Sequence, residues 1–490
     1  AKDADSEKKD KVKEITFEPE GIRDRIVRVT LNSSDLGNYM LSSDGETLYY
    51  TASFEGGQDL WKMDVRKKET KLISKGAGSG DFVYDGDGKT LFLLGSSFKK
   101  LDGDNLKSID FSAELSIDHA AEREYMFNYV ENEEKNRFYD AAMHGVDWEG
   151  YCKAYRRFLP HISNNYDFSE MLSELLGELN VSHTGSGYSA GGKSQPTAQL
   201  GLLYDLDYAG KGLKVSEIIA GGPFDRASLD LEEGDIITAI NGQEITTEQD
   251  PSLLLMNCSG KKTLVSVKDK DDMVVIPISI SAQNDLLYER WVKRNADYVK
   301  KISGGRLGYV HIKGMNDASF RTIYEDIMGE YYKCDGIVID QRFNGGGRMH
   351  EDIEIMFGGH QYLTQVIRGR ESCDMPSRRW IKPSIMLQCE SDYSNAHGTP
   401  WVYSHTGLGS LVGTPVPGTM TSVNWVDLID DSMYFGIPVI GYRQENGRYL
   451  ENTQLEPDVL VYNTPEQIVK GQDDQLKAAV EELLRQIDAK

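Results

Sequence analysis

The chain has 490 residues, 39% of them hydrophobic and 10% aromatic, which is core material for roughly three or four domains of about 100–200 residues each. Lys and Arg number 54 against 78 Asp and Glu, a formal charge of −24, and that field argues against nucleic-acid or membrane-surface partners while tolerating neutral or cationic peptides. Cys152, Cys258, Cys334, Cys373 and Cys389 lack C-x-x-C spacing, no apolar run reaches the ~20 residues of a membrane span, and neither metal nor cofactor is expected. Composition points to a soluble protein and leaves its compartment open between cytoplasm and periplasm.

Read in order, the chain predicts a multidomain α+β fold: partial β-propeller blades, a helical domain, a β-rich module and an α/β domain. The first ten residues are a charged tract read as a linker. Leu41-Ser42-Ser43-Asp44-Gly45 and the strand after it repeat at Tyr84-Asp85-Gly86-Asp87-Gly88, with Asp44 over Asp87, an offset of 43. Periods of about 40–45 with a tight Asp-Gly turn before an alternating strand are the pattern of propeller blades. Two blades cannot close a propeller, so residues 1–108 are expected to be a linker and the tail of a larger one; a small independent sheet is the other reading.

Residues 109–189 read as helices. Met126, Tyr129 and Val130 share one face, Tyr151, Tyr155 and Phe158 another, and Asp118 and Asp147 are placed to start helices. The apolar run Met171 to Leu179 stops at Asn180 and delivers Ser182 and His183 just past its end. Residues 190–283 are β-rich, and Gly234-Asp235-Ile236-Ile237-Thr238-Ala239-Ile240-Asn241-Gly242 resembles a PDZ domain. The resemblance implies peptide binding by strand addition along Gly201, Leu202 and Leu203, or a purely structural spacer. From 284 to 490 helices alternate with strands at Gly308–Ile312, Gly336–Asp340 and Ile385–Leu387, an α/β core closed by an acidic helix from Asp473 to Asp488.

Three segments carry chemistry in combination. His183 can act as a base. The strand Ile385–Leu387 turns through Ser391-Asp392-Tyr393-Ser394-Asn395 into a helix start, a geometry that presents a hydroxyl beside free N–H groups. Gly345-Gly346-Gly347 follow another buried strand and offer bare backbone to an oxyanion. Singly these are a helix-end histidine, a turn serine and a glycine turn; together they are the parts of acyl transfer.

The order of these pieces, with Gly21-Ile22-Arg23-Asp24-Arg25, His144-Gly145-Val146-Asp147-Trp148, Gly177 to His183, Arg342 to Gly347 and Glu451-Asn452, resembles the C-terminal half of the tricorn proteases, relatives of the tail-specific peptidases. That resemblance implies a serine peptidase acting on peptides or unfolded proteins through an acyl-enzyme. Ser394 would be the nucleophile, His183 the base, and Ser182 with Glu451 the polar pair behind it, a Ser-His-Ser-Glu tetrad. The N–H groups of Gly346 and Asn395 would form the oxyanion hole. It also implies a homo-oligomer.

Where the family usually has Asp after the nucleophile this chain has Asn395, so a backbone contact survives and a side-chain role does not. Ser391-Asp392 is a rival register for the nucleophile. A catalytically inactive homologue that binds peptides through its PDZ module, and a metallohydrolase, are the alternative functions. With an ordinary imidazole, activity is expected to rise with an apparent pKa near ~6.5, higher if the Glu451 charge is felt, whereas a flat profile would point to a lysine base.

Overall fold

The computed structural model describes residues 17–30, 34–54, 56–192 and 195–489, in two compact units, Ala1–Ser116 and Ile117–Lys490. The charged tract read as a linker lies outside the described residues.

In the first unit the repeat becomes two antiparallel four-stranded sheets. Strands Asp35–Leu41, Thr47–Ser53, Asp59–Asp64 and Glu69–Ser74 form one; Gly80–Tyr84, Leu91–Gly95, Phe98–Asp102 and Asn105–Ile109 form the other. Gly45 and Gly88, paired by the repeat, both sit at positive φ (73° and 69°), the conformation these tight turns require. The sheets share a core of Leu60, Ala77, Phe82, Leu91 and Leu93, and Asn38 Nδ2 reaches across to the Gly80 carbonyl at 2.8 Å. These are propeller-like blades, with burial concentrated in the strands Thr47–Ser53, Asp59–Asp64, Gly80–Tyr84 and Leu91–Gly95.

The second unit opens with helices His119–Arg137, Trp148–Arg156 and Asn165–Gly177. Asp118 and Asp147 cap the first two by accepting N–H groups of their first turns, as their positions predict. The apolar faces meet in one core, but the sequence hides what completes it: Leu428, Met433, Phe435 and Ile437 pack there too. Strand Gly185–Tyr188 pairs with Met433–Gly441, so the segment carrying His183 is stitched to chain almost 250 residues later.

The PDZ module is a six-stranded sheet running Leu202–Tyr204, Leu213–Ile218, Ile236–Ile240, Thr263–Val267, Met273–Val275, with Gln243–Glu244 beside the third. Its short helix is a 3-10 turn, Pro251–Leu255, capped by Asp250. The long helix Ile280–Ile302 then leads into five parallel strands in the order Leu307–His311, Gly336–Asp340, Ser384–Gln388, Ser410–Gly413, Val459–Leu460. Gly336–Asp340 and Ser384–Gln388 are buried along their whole length, as central strands covered on both faces must be. Helix Asp474–Asp488 covers one face through Leu476, Ala479, Val480 and Leu483. The glycine turn and Ser394 follow the carboxyl ends of adjacent strands, where open α/β sheets present their sites. Among the described residues no helix is long and apolar enough to cross a membrane.

Candidate active site

The connection from helix Asn165–Gly177 to strand Gly185–Tyr188 carries Ser182 and His183, and it is tied from four places. His144 Nδ1 meets the Leu179 carbonyl at 3.1 Å, and Asn452 Nδ2 donates to the Asn180 carbonyl at 2.7 Å. Glu451 Oε1 accepts the Ser182 N–H at 2.6 Å, and the Tyr393 hydroxyl accepts the His183 N–H at 2.7 Å. The ties matter because Asn180 and His183 hold positive φ (48° and 64°), conformations a side-chain-bearing residue keeps only when its surroundings fix it. Gly436 is needed opposite: a Cβ there would lie 2.5 Å from the His183 carbonyl oxygen.

Ser182, His183 and Glu451 form a chain of hydrogen bonds. Ser182 Oγ donates to Glu451 Oε2 at 2.9 Å and lies 2.8 Å from His183 Nδ1. A hydroxyl has one hydrogen, so toward the imidazole Ser182 Oγ accepts, Nδ1 carries the ring proton, and Nε2 keeps its lone pair. Thr421 Oγ1 lies 3.0 Å from both Ser182 Oγ and His183 Nδ1 and closes the cluster. Glu451 is buried, which raises its carboxyl, while the two Ser182 bonds pull it back. Burial pushes the His183 imidazole down to about 4. Loss of water around the ring drives this shift, opposite in direction to the rise expected if the Glu451 charge were felt.

Ser394 begins helix Asn395–His405 at φ 59° and ψ −123°, a sharp strand-to-helix turn in a conformation glycine would adopt more readily. Its N–H is held by Thr419 Oγ1 at 3.0 Å. No hydrogen bond joins Ser394 Oγ to His183; the link is Tyr393, whose ring centre lies 4.7 Å from that of His183. In the rival register Ser391 is exposed, and Asp392 is wholly buried beneath it. Asp392 accepts from Gln341 Nε2, Cys389 N and Asn344 N, joining the nucleophile turn to the glycine turn; burial pushes it up to about 7.

Gly346 abuts Ser394, and a Cβ there would lie 2.5 Å from the Ser394 Cβ. Its N–H, however, donates to Asn344 Oδ1 at 2.8 Å, so the oxyanion contact expected from it is already engaged within the turn. The Gly345 and Asn395 N–H groups have no acceptor among the described residues. The Asn395 side chain is turned away: its Oδ1 accepts from Met349 N at 2.8 Å and His350 N at 3.2 Å, capping helix His350–Phe357 from a distance.

The strand named for peptide addition, Leu202–Tyr204, lies at the edge of the PDZ sheet, paired on one side with Leu213–Ile218. Gly201 N–H donates to Gln283 Oε1 at 3.1 Å and its carbonyl accepts from Ile219 N at 3.0 Å, so it has no free backbone group for a peptide. Leu202 is buried in the module's own core, and Leu203 pairs with Glu217. Helix Ile280–Ile302 starts beside this edge and supplies Gln283, a contact no local pattern reveals. Thr419, Thr421, Asn344 and Tyr393 were likewise not singled out; Asn344, directly before the three glycines, and Tyr393, adjacent to Ser394, lie in stretches that carry a signal in the sequence.

Residues 119–177 match the tricorn protease C1 domain, 214–269 a PDZ domain and 306–461 peptidase family S41. A protein of Sulfurisphaera tokodaii described as a putative tricorn-like protease C-terminal subunit is 25% identical over 96% of this chain and 58% of its own length. Tricorn protease homolog 1 of Streptomyces coelicolor is 25% identical over 94% of this chain and 46% of its own. The crystal structure of the tricorn protease shares the fold, with a TM-score of 0.77 at 19% identity over 93% of this chain and 47% of that one. The chain thus spans about half the length of the relatives it matches. With two blades, the C1 helices, the PDZ sheet and the S41 parallel sheet in this order, the chain is similar to the tricorn proteases along nearly its whole length.

Proposed function

We propose that the chain is a serine peptidase that cleaves peptides or unfolded segments through an acyl-enzyme on Ser394. The observation that carries this reading is the Glu451–Ser182–His183 relay, which holds the proton on Nδ1 and leaves Nε2 free to take one. In this mechanism Nε2 removes the Ser394 proton as Oγ attacks the peptide carbonyl, then returns it to the leaving amine. Glu451, through Ser182, stabilises the imidazolium formed between these steps. The Asn395 N–H at the start of its helix, with Gly345, receives the oxyanion. Ser394 Oγ then carries the acyl group until water, activated by the same imidazole, releases it. The direct bond between Ser394 and His183 forms when substrate is bound, since such bonds are commonly loose without it. A homo-oligomer, and control of access by further blades, belong to the same reading.

A fluorophosphonate probe tests the proposal. Stoichiometric labelling of Ser394 is expected; no labelling at any pH would leave an inactive homologue. Glu451→Gln is expected to lower kcat about 10²–10³-fold with KM little changed. The amide would donate to Ser182 Oγ, turn its hydrogen toward His183 Nδ1 and favour the tautomer that cannot accept from Ser394. An unchanged kcat would remove Glu451 from the mechanism.

The rate per labelled site is expected to stay flat from about pH 8 to 6 and to fall only as pH approaches the depressed imidazole value of about 4. Stability should respond differently. A histidine depressed on folding binds its proton more readily unfolded, so its contribution to stability is lost as pH falls from about 6.5 toward that value. Titrating active sites at each pH separates the two effects, and an acid limb centred near 6.5 would overturn the burial argument. A flat profile therefore no longer indicates a lysine base; the His183 substitution decides that question.

A further inference from the structure

Two residues of the site hold backbone conformations that need external support: His183 at φ 64° and Ser394 at φ 59°. Tyr393 touches both. It is covalently joined to Ser394, its hydroxyl accepts the His183 N–H at 2.7 Å, and its ring lies against the imidazole at 4.7 Å with 42° between the planes. Its own N–H donates to the Asn344 carbonyl at 2.9 Å, which fixes it to the turn where Gly346 abuts Ser394. The base loop and the nucleophile turn come from segments more than 200 residues apart, with Tyr393 joining them directly.

We infer that Tyr393 is a positioning residue that sets the approach of the His183 imidazole to Ser394 Oγ. The inference rests on the peptidase reading and deepens it. The physical reason is the short lever. Consecutive Cα atoms are held about 3.8 Å apart, so a ring anchored on His183 restrains the Ser394 backbone as well. Without the hydroxyl, the His183 N–H loses its acceptor and the left-handed turn loses one of its ties. Without the ring, the imidazole also loses its packing partner on that side. Tyr393 is 36% exposed, so its truncation removes contacts in the site more than core packing.

The test compares Tyr393→Phe and Tyr393→Ala in the full chain, using peptide hydrolysis and the second-order rate of fluorophosphonate labelling. Tyr393→Phe is expected to lower kcat about 10-fold, and Tyr393→Ala about 10²-fold, with KM within a factor of about two. Labelling rates should fall in parallel while the final stoichiometry stays at that of the parent. A merely structural role would instead reduce stoichiometry and leave the rate per labelled site unchanged, which would overturn the inference. Parent-like kcat and labelling rate in Tyr393→Ala would also overturn it. Ser394→Ala separates this failure from failure of the function itself: if that variant is inactive while Tyr393→Ala behaves as the parent, only the role of Tyr393 is lost.

Discussion

Ser394→Ala is expected to lower peptide hydrolysis by about 10⁴–10⁶-fold and to abolish fluorophosphonate labelling, with stability changed by less than about 0.5 kcal/mol. The size follows from chemistry: without the hydroxyl no acyl-enzyme can form, and the remaining oxyanion donors can only assist attack by water. Stability should hardly move because Ser394 starts its helix without a side-chain capping bond, so the lost oxygen removes no partner from the backbone. The strained φ is unchanged, since alanine keeps the Cβ. His183→Ala should be comparably damaging, because nucleophile and base act as a unit. Ser391→Ala, at an exposed turn position, should behave as the parent. Activity retained in Ser394→Ala but lost in Ser391→Ala would move the nucleophile to the rival register.

The largest stability effect is expected at Arg342, beneath the glycine turn. Arg342 and Asp340 are almost fully buried and bidentate: Nε donates to Asp340 Oδ1 at 2.9 Å and Nη2 to Asp340 Oδ2 at 2.7 Å. The other side of the guanidinium reaches Asp473 at 3.0 and 2.9 Å and Gln475 at 3.0 Å, tying the closing helix to strand Gly336–Asp340. Arg342→Ala leaves the Asp340 carboxylate buried with no cation, supported only by the Tyr309 hydroxyl and the backbone at 342. A loss of about 3–5 kcal/mol is expected, read as a lowered denaturant midpoint of the unit containing the site. Asp340→Asn with Arg342→Met should lose less than the single variant, since no charge is then stranded. A single-variant loss below about 1 kcal/mol would show that water or relaxation rescues the carboxylate. Burial pushes the Asp340 carboxyl up, but the Arg342 guanidinium more than offsets this and holds it below its ordinary value. Its contribution is therefore complete above the unfolded carboxylate range and lost only as pH falls through the depressed value.

The same triad shows what a sequence can and cannot convey. Strand Gly336–Asp340 was legible because every position is apolar up to Asp340, the signature of a central strand. That Arg342 would turn inward and find Asp473 was not, since the two lie 131 positions apart and neither carries a local pattern. The glycine turn makes the same point. Three glycines announce a turn with bare N–H groups, but which N–H stays free depends on where Asn344 folds its amide.

By itself the sequence determined the periodic and local features. These are the two Asp-Gly blade turns, the helix caps at Asp118 and Asp147, the order of modules, and the nomination of Ser182, His183 and Ser394 as polar residues at element ends, whereas Glu451 came only with the family resemblance. Such features depend on side-chain spacing and backbone preference within a few residues, so they survive in a string of letters. Only the tertiary structure decided which partners meet. It put Glu451 on both the N–H and the hydroxyl of Ser182, Tyr393 against His183, and Gln283 across the PDZ edge. It also removed enough water from around the His183 imidazole to push it down to about 4. Hydrogen-bond partners and desolvation are set by chain brought together from hundreds of residues away, and no local window contains that information.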